Sequence, residues 1–131
     1  MDKKAIEALV MKWAEEAVAA GRFDAFDALL AEDVRDTSGD TETVGRATFK
    51  SRAAAVHAAF DDIRVRVDAL VVEGESVAWR WTLTARSKGA VADGARVRVR
   101  GCNFQRVRDG RVVEHFTLAE PPKPVALDPQ K

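Results

Sequence analysis

Up to about residue 62 the apolar residues recur at helical spacing; beyond it they alternate with polar ones. Ile6, Leu9, Val10, Trp13, Ala17 and Ala20 share one side, with charges on the other. They predict a long amphipathic helix that Gly21 ends. "FDAFDALLAEDV" predicts a second, shorter helix, with Asp24 as its cap and Phe26, Leu29 and Leu30 on its apolar side. "RDTSGDTETVGR" is rich in Asp, Thr, Ser and Gly and reads as a loop. A third helix then carries Phe49, Ala53, Val56 and Phe60 on one face.

In the second half, Ile63, Val65 and Val67 alternate with Arg64, Arg66 and Asp68. The turn "EGES" leads into a strand with Val77, Trp79, Trp81 and Leu83 on one side. An irregular connection, "RSKGAVADGA", precedes a long third strand, "RVRVRGCNFQRV". The Asp-Gly pair in "RDGR" predicts a tight hairpin turn, and "VVEHFTLAE" is the fourth strand. All four prolines lie in the last 11 residues, "PPKPVALDPQK". That break divides the chain into a domain over 1–120 and a proline-rich tail over 121–131.

Three helices followed by an antiparallel four-stranded meander make an α+β domain. Right-handed twist would curl such a sheet around the helices, giving a cone-shaped roll with an apolar pocket at its open end. At 131 residues and 47% hydrophobic content, one domain with a sizeable core is expected. Lys and Arg total 21 and Asp and Glu total 21, a balance that argues against nucleic acid or an anionic membrane as the main partner. Cys102 is the single cysteine, which excludes an internal disulfide and a cysteine metal cluster. The N-terminal stretch has acidic residues through its apolar stripe, so neither a signal peptide nor a membrane span is expected, and a soluble, cytoplasmic protein is.

The candidate chemistry lies mostly on the last strands. Alternation places His115 on the side of Val113, Thr117 and Ala119, facing the pocket if that side is concave. Its imidazole has an ordinary pKa in the working range, so it is either an acid–base group or a structural hydrogen-bonder. His57, on the third helix, reads as structural or partly exposed, and the two histidines lack the spacing of a metal site. Trp79 and Trp81, with Trp13, would serve as core, pocket wall, or both. Arg96, Arg98 and Arg100 project together, as do Arg64 and Arg66, and acidic residues are available to balance them on an outer sheet face. Gly101 interrupts the third strand; a bulge there would turn Asn103 outward.

"AAGRFDAFDALLAEDV", "VGRATF", "VEGESVAWRWTLTARSKG" and "VRVRGCNFQRVRDGRVVEHF" resemble the SnoaL-like polyketide cyclase branch of the nuclear transport factor 2-like superfamily, which also holds ketosteroid isomerase. The resemblance spans roughly residues 5–120 and is strongest in the final hairpin. It implies the cone fold and pairing of two copies through the outer sheet face. The cyclase branch typically carries a His and an Asp on its last two strands. The matching positions here are Asn103 and Thr117, and neither is a general base at neutral pH. A shifted register would bring Glu120 to the acidic position. The isomerase's base corresponds to Asp36, expected at a pocket mouth where desolvation would raise its pKa, or else capping a turn in a solvated loop. That enzyme's hydrogen-bonding Tyr and protonated Asp correspond to Ala14 and to Cys102 or Asn103. An epoxide-hydrolase Asp-Arg-Asp set is disfavoured, because Trp79, Trp81 and Thr117 hold those positions.

The resulting expectation is a cofactor-independent acid–base enzyme of isomerase, dehydratase or cyclase type acting on a small apolar carbonyl compound, without a metal. Asp36 would be the base, His115 a second acid–base group and Asn103 an oxyanion donor. Trp13, Trp79, Trp81 and Thr117 would shape the pocket. The alternatives are a non-catalytic binder of a hydrophobic small molecule and a dimeric module whose pocket has collapsed.

Overall fold

In the computed structural model, which describes residues 2–88 and 94–125, the first helix opens where the Asp2 carboxylate accepts a hydrogen bond from Ala5 N at 2.8 Å. Helix α1 runs over Lys3–Lys12 and continues through Trp13–Ala19 in wider, π-helical turns. That widening sets Trp13, Ala14 and Ala17 in the core together with Ile6, Leu9 and Val10. A single 3₁₀ turn, Phe23–Ala25, leads into the four-residue helix α2, Phe26–Leu29. Helix α3 spans Ala47–Ala59 and buries Phe49 and Ala53.

The predicted second helix is therefore cut short. Its residues from Leu30 to Val34, with Arg35 and Asp36 of the predicted loop, form strand β1, Leu30–Asp36, paired antiparallel with the short β2, Thr43–Val44. Leu30 and Val34 are fully buried, and β1 gains a parallel partner in β6, which matches Leu30 with Val112 and Asp36 with His115. Long-range pairing outweighs the local helical spacing of that stretch. The four predicted strands are β3 (Phe60–Glu73), β4 (Ser76–Ser87), β5 (Arg96–Arg108) and β6 (Arg111–Ala119). The strand order is β2-β1-β6-β5-β4-β3, and β7, Lys123–Pro124, pairs with β5. The curved sheet is thus mixed and larger than the predicted meander, and the start of the tail is held against β5 at Val97 and Arg98. The middle of the predicted connection, 89–93, and the tail beyond 125 lie outside the described residues.

The last hairpin turns through Asp109 and Gly110, with φ of 52° and 81°, as a primed Asp-Gly turn requires. One residue later the ladder slips, so that Arg106 faces Glu114 while Val107 faces Val112. Val113 is the extra residue, and Val112 rather than Val113 is buried in the core. Beyond this bulge His115 still faces inward, at 4% exposure.

Gly101 does not bulge. The β4–β5 register is continuous from Ser76↔Arg106 to Arg86↔Arg96, which keeps Asn103 inward. The glycine is needed for space: a Cβ there would stand 2.5 Å from Cζ2 of Trp81 and 2.9 Å from the Leu118 carbonyl oxygen. Gly101→Ala is expected to lower stability by about 1–3 kcal/mol through overpacking. Urea denaturation measures this, and an unchanged midpoint would contradict the close approach of the indole.

Candidate functional site

Strands β4, β5 and β6 turn a layer of polar groups toward the helices. A buried indole N–H needs an acceptor, and both tryptophans of β4 find one diagonally across the ladder. Trp79 Nε1 donates to Gln105 Oε1 at 3.0 Å, and Trp81 Nε1 donates to Asn103 Oδ1 at 3.0 Å. An indole can only donate, so these bonds fix which end of each amide is oxygen.

The consequence passes to β6, where Gln105 sits opposite His115 and Asn103 opposite Thr117. With Gln105 Oε1 taken, its Nε2 meets His115 Nδ1 at 3.0 Å. Nδ1 must accept, so the neutral imidazole carries its proton on Nε2. The Thr117 hydroxyl donates to Asn103 Oδ1 at 2.6 Å. That oxygen now accepts two bonds, and Asn103 Nδ2 has no partner among the described residues.

The His115 ring stacks on Trp13, with centroids 5.1 Å apart and planes 18° from parallel, and meets Phe49 edge-on at 5.1 Å. Loss of water in this aromatic slot disfavours the imidazolium and lowers its pKa to about 4; the Asp36 carboxylate opposes that shift and Arg52 adds to it. At neutral pH the ring is therefore uncharged, with Nδ1 engaged and Nε2–H remaining to donate.

Asp36 closes β1 rather than lying in the following loop, and it is buried to 1% exposure. Ser38 N and Ser38 Oγ both donate to its Oδ1, at 2.9 and 2.5 Å, forming a turn. The Ser38 hydroxyl oxygen also accepts from Thr117 N at 2.9 Å, tying that turn to β6. Oδ2 is ion-paired with Arg52 of α3. Burial pushes the Asp36 pKa up, but the two Ser38 bonds and the Arg52 cation outweigh it and hold the carboxyl below its ordinary value. The upward shift expected at a pocket mouth is reversed, because the loop folds over the carboxylate and supplies its hydrogen bonds.

Between this layer and the helices lies a cavity of about 170 Å³. Trp13, Val56, Val65, Trp79, Trp81 and Leu83 give it apolar walls, and its polar lining is Arg52, His57, Asn103, His115 and Thr117. Six of the seven sequence-derived site residues thus converge on one space. Asp36 is not among the lining residues and stands behind Arg52. Ala14 lines the cavity, whereas Cys102 is exposed. Glu120 accepts from Arg100 Nε at 2.9 Å and is not part of the lining. His57 Nε2 lies 2.7 Å from the Val18 carbonyl oxygen, to which it must donate, leaving Nδ1 unprotonated in the neutral ring. No group of His, Cys, Asp and Glu suited to a metal ion occurs among the described residues. Nor is any helix among them long and apolar enough to cross a membrane.

Sequence reading missed Gln105 and Arg52. Gln105 could have been found: it follows Asn103 by one pleat on the inner face, beside an indole that needs an acceptor. Arg52 gave no such signal, since one more charge on a helix reads as solvated surface.

The low pKa of His115 makes a stability prediction. The unfolded ring, near its ordinary value of 6.5, binds a proton more readily than the folded ring at about 4. Acid therefore favours unfolding: the ring's contribution is complete above about pH 6.5 and is lost toward about pH 4, roughly 3 kcal/mol in all. Asp36 gives up its contribution only at lower pH, because its folded pKa lies below the ordinary 3.8. Urea denaturation of wild type and His115→Gln between about pH 7 and 4 tests this. The variant is expected to have the flatter profile, and equal slopes would contradict the assignment.

The SnoaL-like polyketide cyclase family profile matches residues 8–120. TsrD from Streptomyces laurentii superposes with a TM-score of 0.81 at 21% identity, over 92% of this chain and 91% of that one. IdmH from Streptomyces antibioticus, a candidate polyketide cyclase, gives 0.75 at 26% identity, over 87% and 91%. A protein of ketosteroid isomerase-like fold from Catenulispora acidiphila, in complex with trimethylamine, gives 0.70 at 20% identity, over 84% and 83%. No curated protein matches the chain. With a profile match across nearly the whole cone and solved structures of the same fold, the chain belongs to the SnoaL-like polyketide cyclase family.

Proposed function

We propose that the protein is a cofactor-independent acid–base enzyme, of isomerase or cyclase type, that enolises a small apolar carbonyl compound in the cavity. The observation that carries this reading is the double anchoring of Asn103 Oδ1 by Trp81 and Thr117, which leaves Nδ2–H as a preorganised donor inside an apolar space. His115 Nε2–H is the second donor. A proton from the carbon beside the carbonyl passes to a base while the electron pair moves onto oxygen, where the two donors hold the enolate. His57 Nδ1 serves as that base, because the Val18 carbonyl keeps the ring's proton on Nε2. The imidazolium then returns a proton to carbon, at the same atom or at another. Asp36 acts through Arg52 as a positioning residue, not as the base.

In deuterated buffer, a ketone small enough for the cavity is expected to exchange its acidic C–H. Asn103→Leu should slow this by about 10²–10³-fold, as loss of an oxyanion donor does. His57→Gln keeps an N–H for Val18 and removes the basic nitrogen, with an expected loss of about 10²–10⁴-fold. Equal rates in wild type and both variants would sink the enzyme. A second reading, a non-catalytic binder, is favoured by one observation: no carboxylate lines the cavity among the described residues. It predicts tight occupancy by apolar ligands with no exchange at all.

Two copies are proposed to pair through the outer sheet face. Phe104 and Phe116 stand opposite each other across β5 and β6, both exposed, with Leu118 beside them. The neighbouring Arg106 and Glu114 offer charges of both signs to a second copy. Sedimentation should show a dimer that Phe116→Glu dissociates, and a monomeric wild type contradicts the pairing.

A further inference from the structure

The polar lining of the cavity is unequal in kind. Arg52, Asn103 and His115 offer N–H groups to a ligand, and among the described residues no carboxylate shares the lining. Arg52 is built into this wall, not left to wander. Its guanidinium lies over the Phe49 ring at 5.6 Å and is ion-paired with a carboxylate that is itself buried and held by Ser38. Only one of its nitrogens meets Asp36, and no other acceptor is found for it among the described residues. The side chain is 45% exposed, so the remaining N–H groups are accessible where the cavity meets solvent. Asp36 spends both oxygens inside the protein, so the pair presents donors outward and no acceptor.

We propose that Arg52 selects ligands bearing a delocalised oxyanion, a carboxylate or the enolate of a 1,3-dicarbonyl compound, whose apolar body fills the space beside Trp79 and Trp81. Two oxygens sharing one charge match the planar fork of a guanidinium and accept from two of its N–H groups at once. The first oxygen of such a ligand would be held by Asn103 and His115 and the anionic end by Arg52, which makes the substrate a ketone with an acidic group close by. This inference rests on the enolising site described above and specifies its substrate class. Asp36 is the positioning residue that keeps the fork aimed.

Benzoate and its neutral counterpart benzamide are suitable probes, since a benzene-sized ring fits a cavity on the order of 150 Å³. Ligand-observed NMR titration of the wild type is expected to show benzoate bound about tenfold more tightly than benzamide, as a charge-assisted pair provides. Arg52→Gln should bring the two to parity, and Arg52→Lys, which keeps charge but not the fork, should fall between. Replacing benzoate by an enolised 1,3-dicarbonyl such as 1,3-indanedione tells the two oxyanion sources apart, and tighter binding of either supports the site. A wild type that ignores charge or binds neither probe overturns the proposal, as does a preference that survives in Arg52→Gln with unchanged thermal stability. A wild type that exchanges ketone deuterium yet ignores charge sinks the anion site alone; one that prefers benzoate yet never exchanges sinks the enzyme alone.

Discussion

A buried indole N–H cannot be left without an acceptor, and the inner face of this cone is organised around that requirement. Trp79 fixes Gln105, and Gln105 fixes His115. Trp81 fixes Asn103, which Thr117 also holds. Each chain runs across three strands and ends at the cavity. Connected networks of this kind orient their members and resist rearrangement, because breaking one link strands a polar group in a dry environment. The indoles that wall the cavity therefore also orient part of its polar lining.

This arrangement accounts for how the chain departs from the pattern its family suggests. Where a His and an Asp are expected on the last two strands, this protein has Asn103 and Thr117, directly opposite each other and hydrogen-bonded. The position is retained but its proton chemistry is not. The titratable and charged groups that line the cavity lie elsewhere in the cone: His57 and Arg52 on α3, the latter backed by Asp36, and His115 one pleat away. The bulge at Val113 matters here, since without the extra residue the alternation that buries Val112 would turn His115 to the outer face.

Much of this was legible from the chain alone. The change from helical to alternating spacing located three helices and four long strands, and Trp79, Trp81 and Asn103 face the interior as alternation required, whereas His115 and Thr117 reach it through the bulge at Val113. Leu30–Val34 reads as helix because its apolar spacing suits a helix as well as a strand, and only the distant β6 decides between them. Asp36, expected as a base at the pocket mouth, lies behind Arg52 instead, in surroundings that the sequence does not reveal. The sign of its pKa shift depends on Ser38 and Arg52, contacts made by a loop closing over it and by a helix beginning eleven residues further on. Burial could be inferred from sequence; the hydrogen bonds that compensate for it could not.

The amide of Gln105, anchored by Trp79, sets the protonation of His115. Nitrogen-15 NMR of the imidazole at neutral pH measures this directly. The account predicts a neutral ring with its proton on Nε2 and an unprotonated, hydrogen-bonded Nδ1. A proton on Nδ1 alone would contradict this and take the second donor from the proposed enolising site, and a charged ring would contradict the neutral state that burial imposes.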